Sequence, residues 1–244
     1  MRKISVCMAT YNGEKYIAQQ LDSILNQLSG NDEVIISDDS SVDNTVKIIK
    51  QFGDKRVKLF ENNKFRSPVY NFENALINAT GDFIFLSDQD DIWVKNKVHK
   101  MTMLLDRYNV VVSDCVIVNE NNEIIHDSFF KLRNSKAGLL KNIYKNSYLG
   151  CCMAFDRKIL KDALPFPNKL HMHDMWIGAV AELFGKTFFC EEKLLKYRRH
   201  RSTVSRTTEK SSYSLRYKIS YRLVLLKSIL ERALKHRFSR SDNT

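Results

Sequence analysis

The sequence predicts an α/β fold in which a mixed, mostly parallel sheet is flanked by helices, with a helical extension at the C-terminus. Up to about residue 190, short apolar runs alternate with longer amphipathic segments, a pattern typical of strands and helices in layers. Polar clusters directly follow three of the apolar runs, which is where ligands bind in open parallel sheets. A long basic amphipathic segment ends the chain.

The first half of the chain predicts four strands separated by three helices. The strands are 4–9, 33–37, 57–61 and 82–87, each an apolar run with turn residues around it. Asn12 is the predicted cap of the first helix, and Ser41 or Asp43 that of the second. Gly81 is expected just beyond the third helix, as a glycine that accepts the left-handed conformation.

The second half predicts a strand, two helices, two late strands and a terminal helix. The strands are 110–118, 187–190 and 194–198; the helices are 156–164, 174–184 ended by Gly185, and 213–238. We therefore divide the chain into a domain at 1–205 and a basic amphipathic helical extension at 206–244.

Composition and charge exclude several classes of protein. The five cysteines are odd in number and lack CxxC spacing, which argues against a disulfide framework or a structural zinc site. We find no signal peptide and no run of roughly 20 apolar residues, so a cytoplasmic location is expected. The net charge of +11 is concentrated late in the chain, where it could contact the inner face of the plasma membrane or simply be solvated.

The strongest chemical signal is an acidic cluster after the fourth strand, formed by Asp88, Asp90 and Asp91 in SDQDDIW. Carboxylate oxygens suit Mg²⁺ or Mn²⁺, which can bridge the phosphates of a nucleotide. The alternative is a solvated loop whose aspartates cap a helix ahead of Trp93.

Other polar segments are each ambiguous alone. Asp39 follows the second strand and could accept hydrogen bonds from a base or ribose, or belong to a helix cap. Asp174 could be a general base or an N-cap, and a zinc site with His171 and His173 would need a further ligand. The basic segment 197–201 could cover a diphosphate or form a surface patch.

Taken in order, five motifs resemble the family 2 glycosyltransferases of the GT-A fold, and within them the bacterial rhamnosyltransferase-like enzymes of surface polysaccharide synthesis. The motifs are ISVCMATYNGEKYIAQQLDSILNQ, EVIISDDSSVDNT, GDFIFLSDQDDIW, HDMWIGAVAELFGK and LLKYRRHRSTVS, which span about residues 1 to 205. The base position of the family usually reads Glu-Asp, whereas this chain has His173-Asp174.

This resemblance implies an inverting transfer from a UDP- or dTDP-linked sugar, with dTDP-L-rhamnose among the candidates, to a hydroxyl of a saccharide or lipid-linked saccharide. It implies Mn²⁺ or Mg²⁺ as cofactor and Asp174 as catalytic base. The implied donor contacts are Thr10, Tyr11, Asp39, Arg66, Asp88 and Arg198; the implied metal ligands are Asp90, Asp91 and His200; the acceptor side is Trp93, His173 and Trp176.

Two alternatives fit the sequence less well. A nucleotidyltransferase needs a glycine-rich basic loop after the first strand, whereas this chain has ATYNGE there. The absence of GxxxxGK[ST] and GxGxxG likewise argues against a P-loop enzyme or a dinucleotide oxidoreductase. A non-catalytic module that binds nucleic acid or membrane would use the positive charge but leaves the acidic clusters unexplained. We therefore expect no nucleic-acid partner.

Overall fold

The computed structural model describes residues 2–200 and 214–241. Its centre is a nine-stranded sheet. The strands are β1 (Ile4–Thr10), β2 (Glu33–Asp38), β3 (Val57–Phe60), β4 (Phe83–Ser87), β5 (Ile92–Trp93), β6 (Val110–Val118), β7 (Ile124–His126), β8 (Met153–Asp156) and β9 (Thr187–Arg198).

Helices cover the sheet and continue beyond it. They are α1 (Ile17–Leu25), α2 (Thr45–Gln51), α3 (Pro68–Ile77), α4 (Lys97–Leu105), α5 (Phe129–Arg133), α6 (Leu139–Tyr144), α7 (Ile159–Ala163), α8 (His173–Phe184) and α9 (Leu215–Ser241), with a short 3₁₀ helix at Gly150–Cys152. The α/β class and the C-terminal helix are as the sequence predicts.

The sheet is mixed, with the strand order β3-β2-β1-β4-β8-β6-β9-β5 and β7 attached to β6. Strands β1 to β4 are mutually parallel, while β8 runs antiparallel to both β4 and β6. β1, β2 and β4 are almost continuously buried, as expected for strands covered on both faces. This arrangement confirms the predicted mixed, mostly parallel sheet.

Three predicted caps in the first half are wrong. Asn12 has a φ of 49° and lies before Tyr16, which occupies the N-cap position of α1. α2 has Asn44 at its N-cap, although Asp43 accepts a hydrogen bond from the Thr45 backbone N–H. α3 ends before Asn78, and Gly81 is needed for a different reason: a Cβ there would lie 2.5 Å from the Ser5 backbone nitrogen.

The second half differs from the prediction at β8, β9 and Gly185, and it also contains β7, α5 and α6, which were not predicted. β8 was not predicted, because its four residues gain strand geometry only by pairing with β4 and β6. The two late strands are one continuous strand, β9, whose pairing with β6 contains register shifts. Gly185 ends α8 with an extended φ of −148°, and it leaves room for the Asn109 side chain.

The terminal helix α9 packs on α6 and α8 through Leu225, Ser228 and Ile229. Arg232 donates hydrogen bonds to the carbonyl oxygens of Leu164 and Pro165, which fastens the helix to the end of α7. The predicted domain boundary at 205/206 lies outside the described residues. Among the helices that are described, none has the length and apolar character needed to cross a bilayer.

Candidate active site

Three polar loops follow β1, β2 and β4, and the structure joins them at one edge of the sheet. The Gln89 side-chain amide accepts from the Tyr11 N–H at 2.9 Å and donates to the Tyr11 carbonyl at 3.0 Å. Asn12 links the first loop to the second, since its N–H donates to Ser41 Oγ and its Oδ1 accepts from the Val42 N–H. The predicted convergence of these loops is confirmed.

The end of β9 reaches the acidic cluster because β5, which directly follows that cluster, pairs with β9. The backbone N–H of Arg198 donates to Asp91 Oδ1 at 2.9 Å. Two residues later, Nε2 of His200 lies 2.7 Å from Oδ2 of Asp90. Two of the predicted metal ligands, 110 residues apart in the chain, are therefore neighbours.

Arg198 is buried, with 2% of its surface exposed, and its guanidinium is held by three partners. It donates to the Asp90 carbonyl at 2.8 Å, the Glu120 carbonyl at 3.1 Å and Gln19 Oε1 at 2.7 Å. Its guanidinium carbon also lies 4.7 Å from the centre of the Tyr16 ring. Direct contact of Arg198 with a diphosphate stays a prediction; in this structure its guanidinium bonds to protein oxygens and positions the acidic loop from inside the protein.

Asp88, Asp91 and Cys151 bring ligand-type atoms within 4.8 Å of one another. Asp91 is fully buried, and its Oδ2 has no hydrogen-bond partner in the described part of the chain. Burial and the charge of Asp90 raise the pKa of Asp88 to about 7, and they raise the pKa of Asp91 well above its usual range. Converging carboxylates with an unpartnered buried oxygen fit a bound divalent cation.

Asp174 lies in the first turn of α8 and is 7% exposed. Its Oδ1 accepts from the Met175 N–H at 2.6 Å, and burial raises its pKa to about 6. Gly150 lies against it, since a Cβ on that glycine would be 3.6 Å from Asp174 Cβ. The negative charge of Asp174 contributes to the raised pKa of Asp88. The predicted base therefore lies close enough to the acidic cluster for the two carboxylates to repel each other.

His173 stacks on Phe72, with ring centres 4.0 Å apart. Burial lowers the pKa of His173 to about 3, so the imidazole is neutral at physiological pH. Its Nε2 is buried without a hydrogen-bond partner among the residues described. It lies next to Gly150, since a Cβ on that glycine would be 2.9 Å away. The side chain that takes the place of the family's usual glutamate is therefore an uncharged ring beside Asp174.

Three predicted contact residues lie in the interior. Trp93 and Trp176, predicted on the acceptor side, are only 3% and 0% exposed, and the indole N–H of Trp176 donates to the Ala163 carbonyl. Thr10 is 1% exposed, and its hydroxyl donates to Asp38 Oδ2 at 2.8 Å. Protein atoms cover all three side chains in this structure, and their contacts with a substrate stay predictions.

Two of the remaining predicted donor contacts, Asp39 and Arg66, meet at the loop before α3. Tyr11, in the loop after β1, is 56% exposed. The Asp39 carboxylate accepts from the backbone N–H groups of Phe65 and Ser67 at 2.7 and 3.2 Å. Arg66 lies between those two residues with a φ of 50° and an exposed side chain. Asp39 thus fixes the backbone that carries Arg66.

Several site residues were missed from the sequence. Gln89 lies inside the acidic motif, and Gly13 makes room for it, since a Cβ on Gly13 would be 2.4 Å from the Gln89 amide oxygen. Tyr16 lies beside His200, with ring centres 4.8 Å apart. Cys151 had no motif to mark it. Gln89 and Gly13 could have been found, because both lie within motifs at strand ends.

Comparison with known proteins identifies the family to which the chain belongs. A sequence model of Glycosyl transferase family 2 matches residues 5–164. The Escherichia coli UDP-Glc:alpha-D-GlcNAc-diphosphoundecaprenol beta-1,3-glucosyltransferase WfgD is 29% identical over 206 residues, 83% of this chain and 79% of that protein. The Shigella flexneri dTDP-rhamnosyl transferase RfbG is 36% identical over 122 residues, 47% of this chain and 38% of RfbG.

Solved structures show the same fold. Staphylococcus aureus TarS 1-349 in complex with UDP is 25% identical with a TM-score of 0.65, covering 81% of this chain. This chain spans about 60% of that TarS fragment. The UDP-GlcNAc complex of the same fragment has a TM-score of 0.71 at 22% identity and covers 98% of this chain and 73% of TarS 1-349. With the family match and the joined strand-end loops, these likenesses show that the chain belongs to glycosyl transferase family 2 and has the GT-A fold.

Proposed function

We propose that the protein transfers a sugar, with inversion, from a nucleoside-diphosphate sugar to a hydroxyl of a saccharide or lipid-linked saccharide acceptor in polysaccharide synthesis. The observation that carries this proposal is the pairing of Asp90 with His200, next to Asp88, whose pKa is raised in part by the charge of Asp174. A metal-binding pair and a candidate base are the two parts that such a displacement requires.

The donor is a UDP or dTDP sugar in this proposal. Tyr11 and the loop held by Asp39 form the side of the crevice where the base would lie, with Arg66 near the phosphates and Asp88 near the ribose. Uracil and thymine present the same N–H and carbonyl edge, so these groups suit either base. The named activities of WfgD and RfbG make glucose and rhamnose the first sugars to test.

Asp90 and His200 would hold Mn²⁺ or Mg²⁺, and the carboxylates of Asp91 and Asp88 would add negative charge close by. Bound there, the cation would neutralise charge on the departing diphosphate. Carboxylate and imidazole ligands suit Mn²⁺ better than Mg²⁺, which prefers an all-oxygen shell. Arg198 would keep the two ligands together, because it bonds to the Asp90 carbonyl and lies two residues before His200.

Asp174 would take the proton from the attacking hydroxyl. With a pKa of about 6, its carboxylate is mostly ionised at neutral pH and is more basic than an ordinary aspartate. One displacement, with the hydroxyl attacking opposite to the leaving diphosphate, inverts the configuration at the anomeric carbon. His173, neutral and stacked on Phe72, would fix the backbone at the start of α8.

Peripheral contact with an anionic membrane is the second part of the proposal, with the outer face of α9 as the contact surface. Leu223, Leu230 and Leu234 are 60%, 63% and 56% exposed on this face. Lys227, which lies between them in the sequence, has 78% of its side chain exposed. Exposed leucines flanked by basic side chains suit the boundary between lipid headgroups and acyl chains.

Flotation with phosphatidylcholine vesicles, with and without phosphatidylglycerol, tests this membrane contact. The double variant Leu223→Ser/Leu230→Ser should lose most binding to the anionic vesicles, since each buried leucine contributes about 2 kcal/mol. Ile124→Ser is the matched control, because Ile124 is 64% exposed but belongs to β7, not to α9. Equal flotation of the double variant and the control would remove the membrane proposal.

A panel of UDP, dTDP and GDP sugars, each with saccharide and diphospholipid acceptors, tests the transfer itself. We expect one donor class to support product formation, and NMR of the product should show the anomeric configuration opposite to that of the donor. A retained configuration would contradict the role of Asp174 as base. An absence of product and of donor hydrolysis across the panel would contradict the transferase proposal.

A further inference from the structure

The first turns of α9 place two tyrosine rings against His171, in the segment that leads to Asp174. Tyr217 Oη lies 2.8 Å from Nδ1 of His171, and the two rings meet edge to face with centres 5.1 Å apart. The Tyr221 ring stacks on His171 at 5.0 Å with an interplanar angle of 21°. We call His171, Tyr217 and Tyr221 the aromatic platform.

The position of the aromatic platform follows from its anchors. His171 precedes Asp174 by three residues, at the entry to α8. Arg222, the residue after Tyr221, donates to the carbonyl oxygens of Ile143 and Tyr144 at the end of α6. Because α9 is fastened to α6 on one side and to the His171 segment on the other, the platform is held in a fixed place near the candidate base.

We propose that the aromatic platform is a subsite for a sugar ring of the acceptor, with the Tyr217 ring as its stacking surface. This inference rests on the proposed transferase function. It assigns part of the acceptor site to α9, which the sequence suggested was an appendage. The ligand class is a pyranose ring, with an apolar C–H face and hydroxyl groups at its rim.

The chemistry of the platform suits that ligand. Tyr217 is 41% exposed, so part of its ring remains open to a ligand after packing on His171. An aromatic face can cover the C–H face of a pyranose, while the oxygen of a tyrosine that is bonded to an imidazole can accept a second hydrogen bond from a rim hydroxyl. Half-burial lowers the pKa of His171, which favours an uncharged ring and a neutral ligand over a phosphate.

A merely structural role predicts a different result from a binding role. If the platform only fastens α9, removing the Tyr217 ring should lower thermal stability and donor hydrolysis together, because the Asp174 segment would loosen. If the platform binds acceptor, donor binding and donor hydrolysis should stay the same, and only the acceptor concentration needed for transfer should change.

Kinetics of the full chain with Tyr217→Ala and Tyr217→Phe separate these cases. The probe is N-acetylglucosamine α-diphosphate on an undecyl chain, or whichever panel acceptor the wild-type protein glycosylates. For Tyr217→Ala we expect acceptor KM to rise about tenfold, with donor hydrolysis and donor Kd unchanged. Tyr217→Phe, which keeps the ring, should stay within about threefold of wild type.

Ile219→Ala is the matched control, since Ile219 is 48% exposed on the same helix. It should leave acceptor KM unchanged. An unchanged acceptor KM in Tyr217→Ala, or a parallel fall in its donor hydrolysis, would overturn the subsite. Failure of the proposed function is a separate result, because wild type itself would then neither bind nor turn over a nucleotide sugar.

Discussion

Nε2 of His200 lies 2.7 Å from Oδ2 of Asp90, although 110 residues separate them in the chain. Both side chains are largely buried, with 10% and 15% of their surfaces exposed. If they share a metal ion, His200→Ala should weaken Mn²⁺ binding about 10- to 100-fold by calorimetry. The control is His126→Ala, an exposed histidine on β7. Equal Mn²⁺ affinity in both variants would contradict the assignment of His200.

Arg198→Ala should destabilise the protein and weaken metal binding together. The change removes a buried guanidinium that satisfies the Asp90 and Glu120 carbonyls and Gln19, so we expect a loss of about 3 kcal/mol in the free energy of unfolding. Urea denaturation measures the first effect and calorimetry with Mn²⁺ the second. Arg107→Ala, at an exposed position, should change neither. Full stability with lost donor binding would favour a direct phosphate contact instead.

The pH dependence of kcat should have an acidic limb at about pH 6, because only ionised Asp174 can accept the proton. Each pH unit below that point should cost about tenfold in rate. Asp174→Asn should bind donor and transfer nothing, whereas Asp127→Asn, at an exposed carboxylate, should behave as wild type. A limb that persists unchanged in a variant lacking Asp174 would contradict this assignment.

The raised pKa of Asp174 also makes the stability of the fold depend on pH. The folded-state pKa of Asp174 lies above its ordinary value, so folding favours the protonated form and stability falls as pH rises through about 4 to 6. Asp174→Asn should therefore be more stable than wild type above pH 6, with the difference shrinking towards pH 4. Thermal melts over this range measure it; a difference independent of pH would contradict the raised pKa.

Gly150→Ala should impair catalysis with little effect on donor binding. The new Cβ would lie 2.9 Å from His173 Nε2 and 3.6 Å from Asp174 Cβ, so the start of α8 must shift. A displacement of the base by a fraction of an ångström should lower kcat by about tenfold or more. Gly30→Ala is the control, because a Cβ there meets nothing within 4 Å. Equal kcat in both variants would place the base elsewhere.

Much of the fold could be predicted because the central strands are continuous apolar runs. β1, β2 and β4 each end in a polar cluster, and a parallel sheet brings such ends together, so the crevice followed from the pattern. β8 could not be predicted, because its four residues depend on partner strands distant in sequence. The predicted helix-cap role of Gly81 was wrong for the same reason: the glycine is required by the close approach of β1, which is distant in sequence.

The site was predicted less evenly. The acidic cluster and Asp174 were singled out because carboxylates at the ends of strands and the starts of helices indicate chemistry, whereas His200 came from the resemblance to the family; the structure places His200 beside Asp90. Trp93 and Trp176 were assigned by their nearness in sequence to those motifs, but tertiary packing buries both. Arg198 was predicted to contact phosphate. The two carbonyl oxygens and one amide oxygen that accept from its guanidinium are brought to it only by folding, so the sequence could not show them.

The most direct test of the central claim is calorimetric titration of UDP and dTDP sugars into the purified protein, with and without Mn²⁺. We expect wild type to bind one donor only when the metal is present, and Asp90→Ala to lose that binding. Asp174→Asn should keep it. Donor binding that is independent of metal and survives Asp90→Ala, or no binding by wild type, would contradict a metal-assisted sugar transfer at this crevice.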